Sequence, residues 1–115
     1  MAEFVERPWG GYQVIYEDFG VVVKILTVNP GARLSLQKHA FRAESWCVVA
    51  GDMLAMVDGE SIEMEVGKPV FVDVGIIHRL VNTGDSVGRV VEIISGNYDE
   101  EDIVRLDDDY GRNER

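Results

Sequence analysis

The feature that most restricts the fold is the length and character of the apolar runs. They are short, rich in Val, Ile, Phe and Tyr, and broken by glycine-containing turns. Nine such runs follow one another: Tyr12–Tyr16, Val21–Val28, Arg33–Gln37, Trp46–Ala50, Met53–Val57, Ser61–Val66, Pro69–Val72, His78–Val81 and Arg89–Ile94. Turn signals recur at about the 8–12-residue spacing of antiparallel sandwiches and barrels. Asp58-Gly59 between two runs predicts a type I′ hairpin, and Pro30-Gly31 and Thr83-Gly84-Asp85 predict further turns. No stretch before Asp99 keeps a 3.6-residue apolar period over ten residues, and helix is expected only near Glu100–Leu106. The 115 residues, 46% hydrophobic, are expected to form one all-β domain over 1–115 with a real core.

Charge and cysteine usage then remove several classes of function. With 21 Asp and Glu against 11 Lys and Arg the net charge is −10, which repels a phosphate backbone, so no nucleic-acid partner is expected. Half of that excess lies in Asp99–Arg115, eight acids against three arginines, which reads as a solvated acidic tail. No apolar stretch approaches the ~20 residues of a membrane span, and Glu3 and Glu6 interrupt any leader-like start, so no membrane association is expected. The single Cys47 offers neither a disulfide nor a thiolate cluster; a reducing cytoplasm fits, and mid-strand it reads as a buried, inert thiol. There is no GxGxxG, P-loop, GxSxG or CxxC.

The two histidines carry what remains. His39 follows Gln37 by two residues, so both side chains share a face of an extended chain. Glu44 comes five residues later, and His78 sits in a second segment that a barrel wall can bring opposite the first. Two imidazoles, a carboxylate and an amide oxygen suit a borderline divalent metal: Zn first, with Mn, Co or Fe as alternatives. On spacing alone, hydrogen-bonded surface histidines are as good a reading.

Longer motifs decide between them. Gly31-(x)5-Gln37-x-His39-(x)4-Glu44-(x)6-Gly51 and Gly67-(x)5-Asp73-x-Gly75-(x)2-His78-(x)3-Asn82 resemble the two cupin motifs, with Gln for the first His and Asp for a Pro. Arg7-Pro-Trp-Gly10, Val23-Lys-Ile25, Pro30–Gln37, Arg42-Ala-Glu-Ser-Trp46, Glu101–Arg105 and Asp109-Tyr-Gly-Arg112 further resemble the type II mannose-6-phosphate isomerase domain. That domain ends bifunctional mannose-1-phosphate guanylyltransferase/mannose-6-phosphate isomerases. The resemblance implies a cupin barrel, a jelly-roll-like double-stranded β-helix, with one divalent metal on Gln37, His39, Glu44 and His78. It also implies a phosphosugar substrate interconverted between mannose 6-phosphate and fructose 6-phosphate.

Two positions depart from the family pattern. Phe41 and Ser45 stand where the family has histidines, at positions flanking the expected ligands. For proton transfer and charge stabilisation the candidates are Lys24, Arg42 and Glu92, polar residues in or beside apolar runs; Glu92 either lines the barrel or points outward. Arg7, Lys24, Arg42 and Arg105 lie in family-like segments and offer positive charge to a phosphate, and Trp9 offers a face to a sugar. Trp46 likewise offers a face to a sugar, although large aromatics in a small barrel are more often core; Met53, Met56 and Met64 read as core or interface filling, and Asn82 and Gly75 as turn and strand geometry. The rival readings are a non-catalytic cupin binding a sugar phosphate, and another cupin metalloenzyme such as a dioxygenase, epimerase or other sugar isomerase. Open sheet edges, with Phe4 and Val5 available to pair elsewhere, predict a two-fold homodimer.

Overall fold

The computed structural model describes residues 2–112. Met1 and the last three residues of the predicted acidic tail and of the 1–115 domain lie outside the described residues. Among the described residues eleven strands follow in order: β1 (Phe4–Arg7), β2 (Gly10–Asp18), β3 (Val21–Val28), β4 (Leu36–Lys38), β5 (Arg42–Ala50), β6 (Met53–Val57), β7 (Glu60–Glu63), β8 (Val70–Val72), β9 (His78–Asn82), β10 (Gly88–Gly96) and β11 (Val104–Asp107). All their pairings are antiparallel, in a six-stranded sheet β1-β2-β3-β10-β5-β8 and a five-stranded sheet β11-β4-β9-β6-β7. Every one of the nine expected runs contributes pairing residues, although the run Arg33–Gln37 reaches its sheet only through an Arg33–Val81 bridge and the start of β4.

Local chemistry explains the turns. Asp58 and Gly59 have φ of 51° and 81°, the two left-handed residues of a type I′ turn, and Val57 pairs with Glu60 across them. At Pro30-Gly31, Gly31 has φ of 71° and Ala32 N–H donates to Asn29 O at 3.0 Å, so proline and glycine take the positions a type II turn assigns them.

Strict alternation along β3, β5 and β10 turns one side of each strand inward. The ladder registers align these inward residues in rows. Leu26, Val90 and Val48 make an apolar row, joined by Trp9, Val28, Met53, Ala55 and Leu80 in the core. The next row is Lys24, Glu92 and Trp46. Beyond it Glu44 pairs with Ile94 and Val72. One end of the barrel is therefore closed by hydrocarbon, while the other interior is lined by buried charge.

Four expectations are corrected. Residues 100–106 are not helical: an irregular strap, residues 97–103, leads into β11, whose Val104 and Arg105 pair with Lys38 and Gln37 of β4. β-branched Ile103 and Val104 fit an edge strand, and tertiary pairing overrides the weak helical propensity. Nor is the acidic tail merely solvated, since Asp108 is buried and chelates Arg112 through two oxygens at 2.8 and 3.1 Å. Phe4 and Val5 pair with Gln13 and Tyr12 of the same chain. Cys47 alternates with buried Trp46 and Val48 and lies half-buried on the outer face of its sheet. Among the described residues no helix is long and apolar enough to cross a membrane.

Candidate metal centre and cleft

Three of the expected ligands converge. His39, in the loop between β4 and β5, Glu44 on β5 and His78 at the start of β9 are all buried, and a donor atom from each lies within 4.8 Å of the others. The loop 39–41 folds His39 back so that Nδ1 meets Asp102 O at 2.6 Å, while His78 Nδ1 meets Ile76 O at 2.8 Å. A carbonyl oxygen only accepts, so both Nδ1 atoms carry protons and the two Nε2 atoms are left to face the site. Both face Glu44: His39 Nε2 is 3.5 Å from Oε2 and His78 Nε2 is 3.3 Å from Oε1. Such a meeting is repulsive unless a proton or cation stands between. Bonds of ~2.1 Å in a tetrahedron put ligand atoms ~3.4 Å apart, close to both distances. The donor set therefore fits a divalent metal. Gln37 pairs with His78 across the β4–β9 ladder; its Nε2 donates to Ser35 Oγ at 3.1 Å, leaving its carbonyl oxygen as the atom available to a cation.

Charge supports this reading. Burial pushes the Glu44 carboxyl up, but a hydrogen bond and charge from His78, with His39 and Arg42, hold it down to about 2, so it stays anionic. Burial lowers the His39 pKa below its ordinary value, outweighing Glu44, and Arg42 lowers it further, so the ring is the neutral form a metal needs. Arg42 is itself buried, donating to Glu44 Oε2 through Nε at 3.1 Å, with Nη2 3.2 Å from His39 Nε2.

Above this cluster a cleft opens to solvent. It contains the candidates Arg7, Trp9, Lys24, Arg42, Glu92 and Arg105 together. Lys24 and Glu92 are buried, so neither snorkels to the outer surface, and Glu92 lines the barrel. Glu92 accepts from Trp46 Nε1 at 2.9 Å. Burial and the nearby Glu44 charge push its carboxyl up to about 7, against Lys24, the Trp46 bond and Arg42. Trp9 belongs to the hydrophobic core while bordering the cleft.

Several site residues escaped the sequence reading. Arg79 is buried beside His78, with Nε donating to Leu34 O at 2.8 Å. Asp102 reaches back from the strap: its carboxylate accepts from Ala40 and Phe41 N–H at 2.8 and 3.0 Å, so one residue holds both His39 and its loop. Tyr12 and Glu100 line the cleft and are bonded to one another, and Tyr98 bonds to Glu100. The available signal was the family-like Glu101–Arg105 segment, submerged in an acidic stretch. The substituted positions Phe41 and Ser45 do not line the cleft. Phe41 is 64% exposed, and Ser45 alternates with Glu44 and Trp46 so that it sits outside, beside exposed Ile93 and Phe71.

A small double-sheet barrel with a buried His–Glu–His cluster under an open cleft defines the cupin class. Residues 1–108 match the family described as Mannose-6-phosphate isomerase C-terminal, and the chain belongs to that family. It is 41% identical over 109 residues to the alginate biosynthesis protein AlgA of Pseudomonas aeruginosa, covering 94% of this chain and 23% of that protein. To a mannose-1-phosphate guanylyltransferase of Salmonella montevideo it is 44% identical over 112 residues, 95% and 23% of the two lengths. The chain thus spans about a quarter of the length of these curated relatives. Among solved structures, the capsular polysaccharide assembling protein CapF of Staphylococcus aureus superposes with a TM-score of 0.79 at 21% identity over 93% of this chain and 34% of that one. The Schizosaccharomyces pombe Cnp3 cupin domain gives 0.70 at 14%, covering 76% and 64%.

Proposed function

We propose that the chain is a metal-dependent isomerase interconverting mannose 6-phosphate and fructose 6-phosphate. The observation that carries this reading is a concentration of charge. Of the 11 Lys and Arg in a chain of net charge −10, six among the described residues line this one cleft: Arg7, Lys24, Arg42, Arg79, Arg105 and Arg112. Fixed cations above a buried donor cluster suit an anionic substrate with oxygens to offer a metal. His39, Glu44 and His78, with Gln37 beside them, would hold a divalent ion, which would supply Lewis acidity toward the sugar oxygens.

The chain's own residues supply the rest. Aldose–ketose exchange carries one proton between C1 and C2 while another passes between their oxygens. Glu92, walled in beneath the cleft and poised near neutrality, is the group that takes and returns the carbon-bound proton. Arg42, adjoining the donor cluster, stabilises negative charge as it develops near the reacting carbons. Lys24, Arg7 and Arg105 hold the phosphate, and Trp9 borders the sugar. The exposed and outward positions of Phe41 and Ser45 support catalysis over mere binding, because imidazoles there would not line the cleft. Metal analysis followed by coupled assays with both hexose phosphates tests this. Full metal occupancy without conversion of either sugar would overturn the isomerase reading and leave the binding-only cupin.

A further inference from the structure

The cleft mouth already holds an anion: a carboxylate of this same chain. Glu100 lies at the tip of the strap, in a turn where Asp102 N–H donates to Asp99 O at 3.0 Å. Both flanks of the tip are tied down. Asn97 N–H donates to Phe41 O at 3.0 Å, and Asp102 receives the two N–H groups of the 40–41 loop. Between these anchors the Glu100 side chain turns into the cleft. Its Oε1 accepts from Tyr12 Oη at 2.9 Å, from Lys24 Nζ at 3.4 Å and from Tyr98 Oη, and Oε2 stands 3.8 Å from Arg7 Nη2. Lys24 Nζ lies over the rings of Tyr12 and Tyr98, 4.1 and 4.6 Å from their centroids. The ammonium is buried, yet its carboxylate partner is half exposed. The carboxylate is thus the more accessible partner of the pair.

The charges distinguish which ligand the subsite fits. Arg7 and Lys24 contribute two positive charges, and the two phenols contribute neutral donors. With Glu92, beside Lys24, protonated, a single carboxylate leaves one positive charge over, whereas a phosphate monoester, near −2 at neutral pH with three acceptor oxygens, matches both cations. We propose that Arg7, Tyr12, Lys24 and Tyr98 form an oxyanion subsite, occupied by the Glu100 carboxylate until a phosphate monoester displaces it. This rests on reading the cleft as a phosphosugar site, and adds where the phosphate sits and what it displaces. The Tyr98 ring also lies 5.2 Å from the Arg42 guanidinium.

The test is titration of metal-loaded protein with inorganic phosphate, followed calorimetrically at low ionic strength. Glu100→Gln keeps an acceptor for both phenols but removes the competing charge, and it should tighten phosphate binding about tenfold over wild type. Adding Lys24→Met, or the milder Tyr98→Phe, to Glu100→Gln should reverse that gain. Unchanged or weaker binding by Glu100→Gln overturns the proposal, because Glu100 is then only a fixed counter-ion. A gain that survives both second substitutions also overturns it, because phosphate then binds elsewhere. No turnover is read, so the two proposals fail separately. Phosphate binding that responds to Glu100, without hexose phosphate conversion, spares the subsite and removes the isomerase. Conversion with phosphate affinity indifferent to Glu100 does the reverse.

Discussion

Replacing Glu92 with Gln isolates the energetic consequence of burying a carboxyl in the charged row of the barrel. The amide keeps an oxygen for Trp46 Nε1–H, so the 2.9 Å bond survives and the titrating proton is what is lost. In the wild-type chain burial, then the Glu44 charge, raises the Glu92 carboxyl from 4.5 to about 7. Between those values the folded protein holds a proton that the unfolded chain has released. Folding is thus favoured below pH 4.5 and loses stability as pH climbs through 7, by about 3 kcal/mol in all. The Glu92→Gln protein has no such slope from this position. Urea unfolding of metal-free protein, followed by tryptophan fluorescence, should therefore show the variant gaining about 2–3 kcal/mol on wild type between pH 5 and pH 8.5. Adding zinc should shrink that gain, since a cation on Glu44 removes one of its causes. If the two proteins keep the same stability difference, within ~0.5 kcal/mol, at both pH values, Glu92 does not titrate as its burial implies. The same variant should lose about 10²–10⁴-fold in turnover if Glu92 carries the proton.

Three further substitutions and one mass measurement probe the site. His78→Ala should lower zinc affinity more than ~100-fold by equilibrium dialysis, because the three remaining donors, one of them only the Gln37 amide, leave a weak, mis-shaped coordination shell. Asp102→Ala, which touches no metal donor through its side chain, should lower it about 10–100-fold by loosening the 39–41 loop. Arg42→Ala should keep the metal and lower kcat, and unchanged kcat would remove Arg42 from catalysis. Light scattering at micromolar concentration should give the mass of two chains, since strands β1, β7, β8 and β11 all end their sheets with an open edge; one chain's mass would refute the dimer.

Much of the barrel was legible in residue order because its causes are local. Alternation along Val21–Val28 and Arg89–Ile94 sets which side of each strand is buried, and Asp58-Gly59 is itself the turn it encodes. The His39, Glu44 and His78 cluster was legible only through the resemblance of its spacing to two family motifs, because Glu44 and His78 stand on strands of different sheets. Contacts that close over long stretches of chain leave no such local trace. Asp102 meets His39 across 63 positions and Glu100 meets Tyr12 across 88, from a stretch whose composition reads as solvated charge. The row that sets Glu92 between Lys24 and Trp46 likewise depends on strand register, which residue order alone leaves open. Ser45 makes the same point in reverse: motif spacing placed it beside the ligands, but on a β-strand the next residue along points to the opposite face.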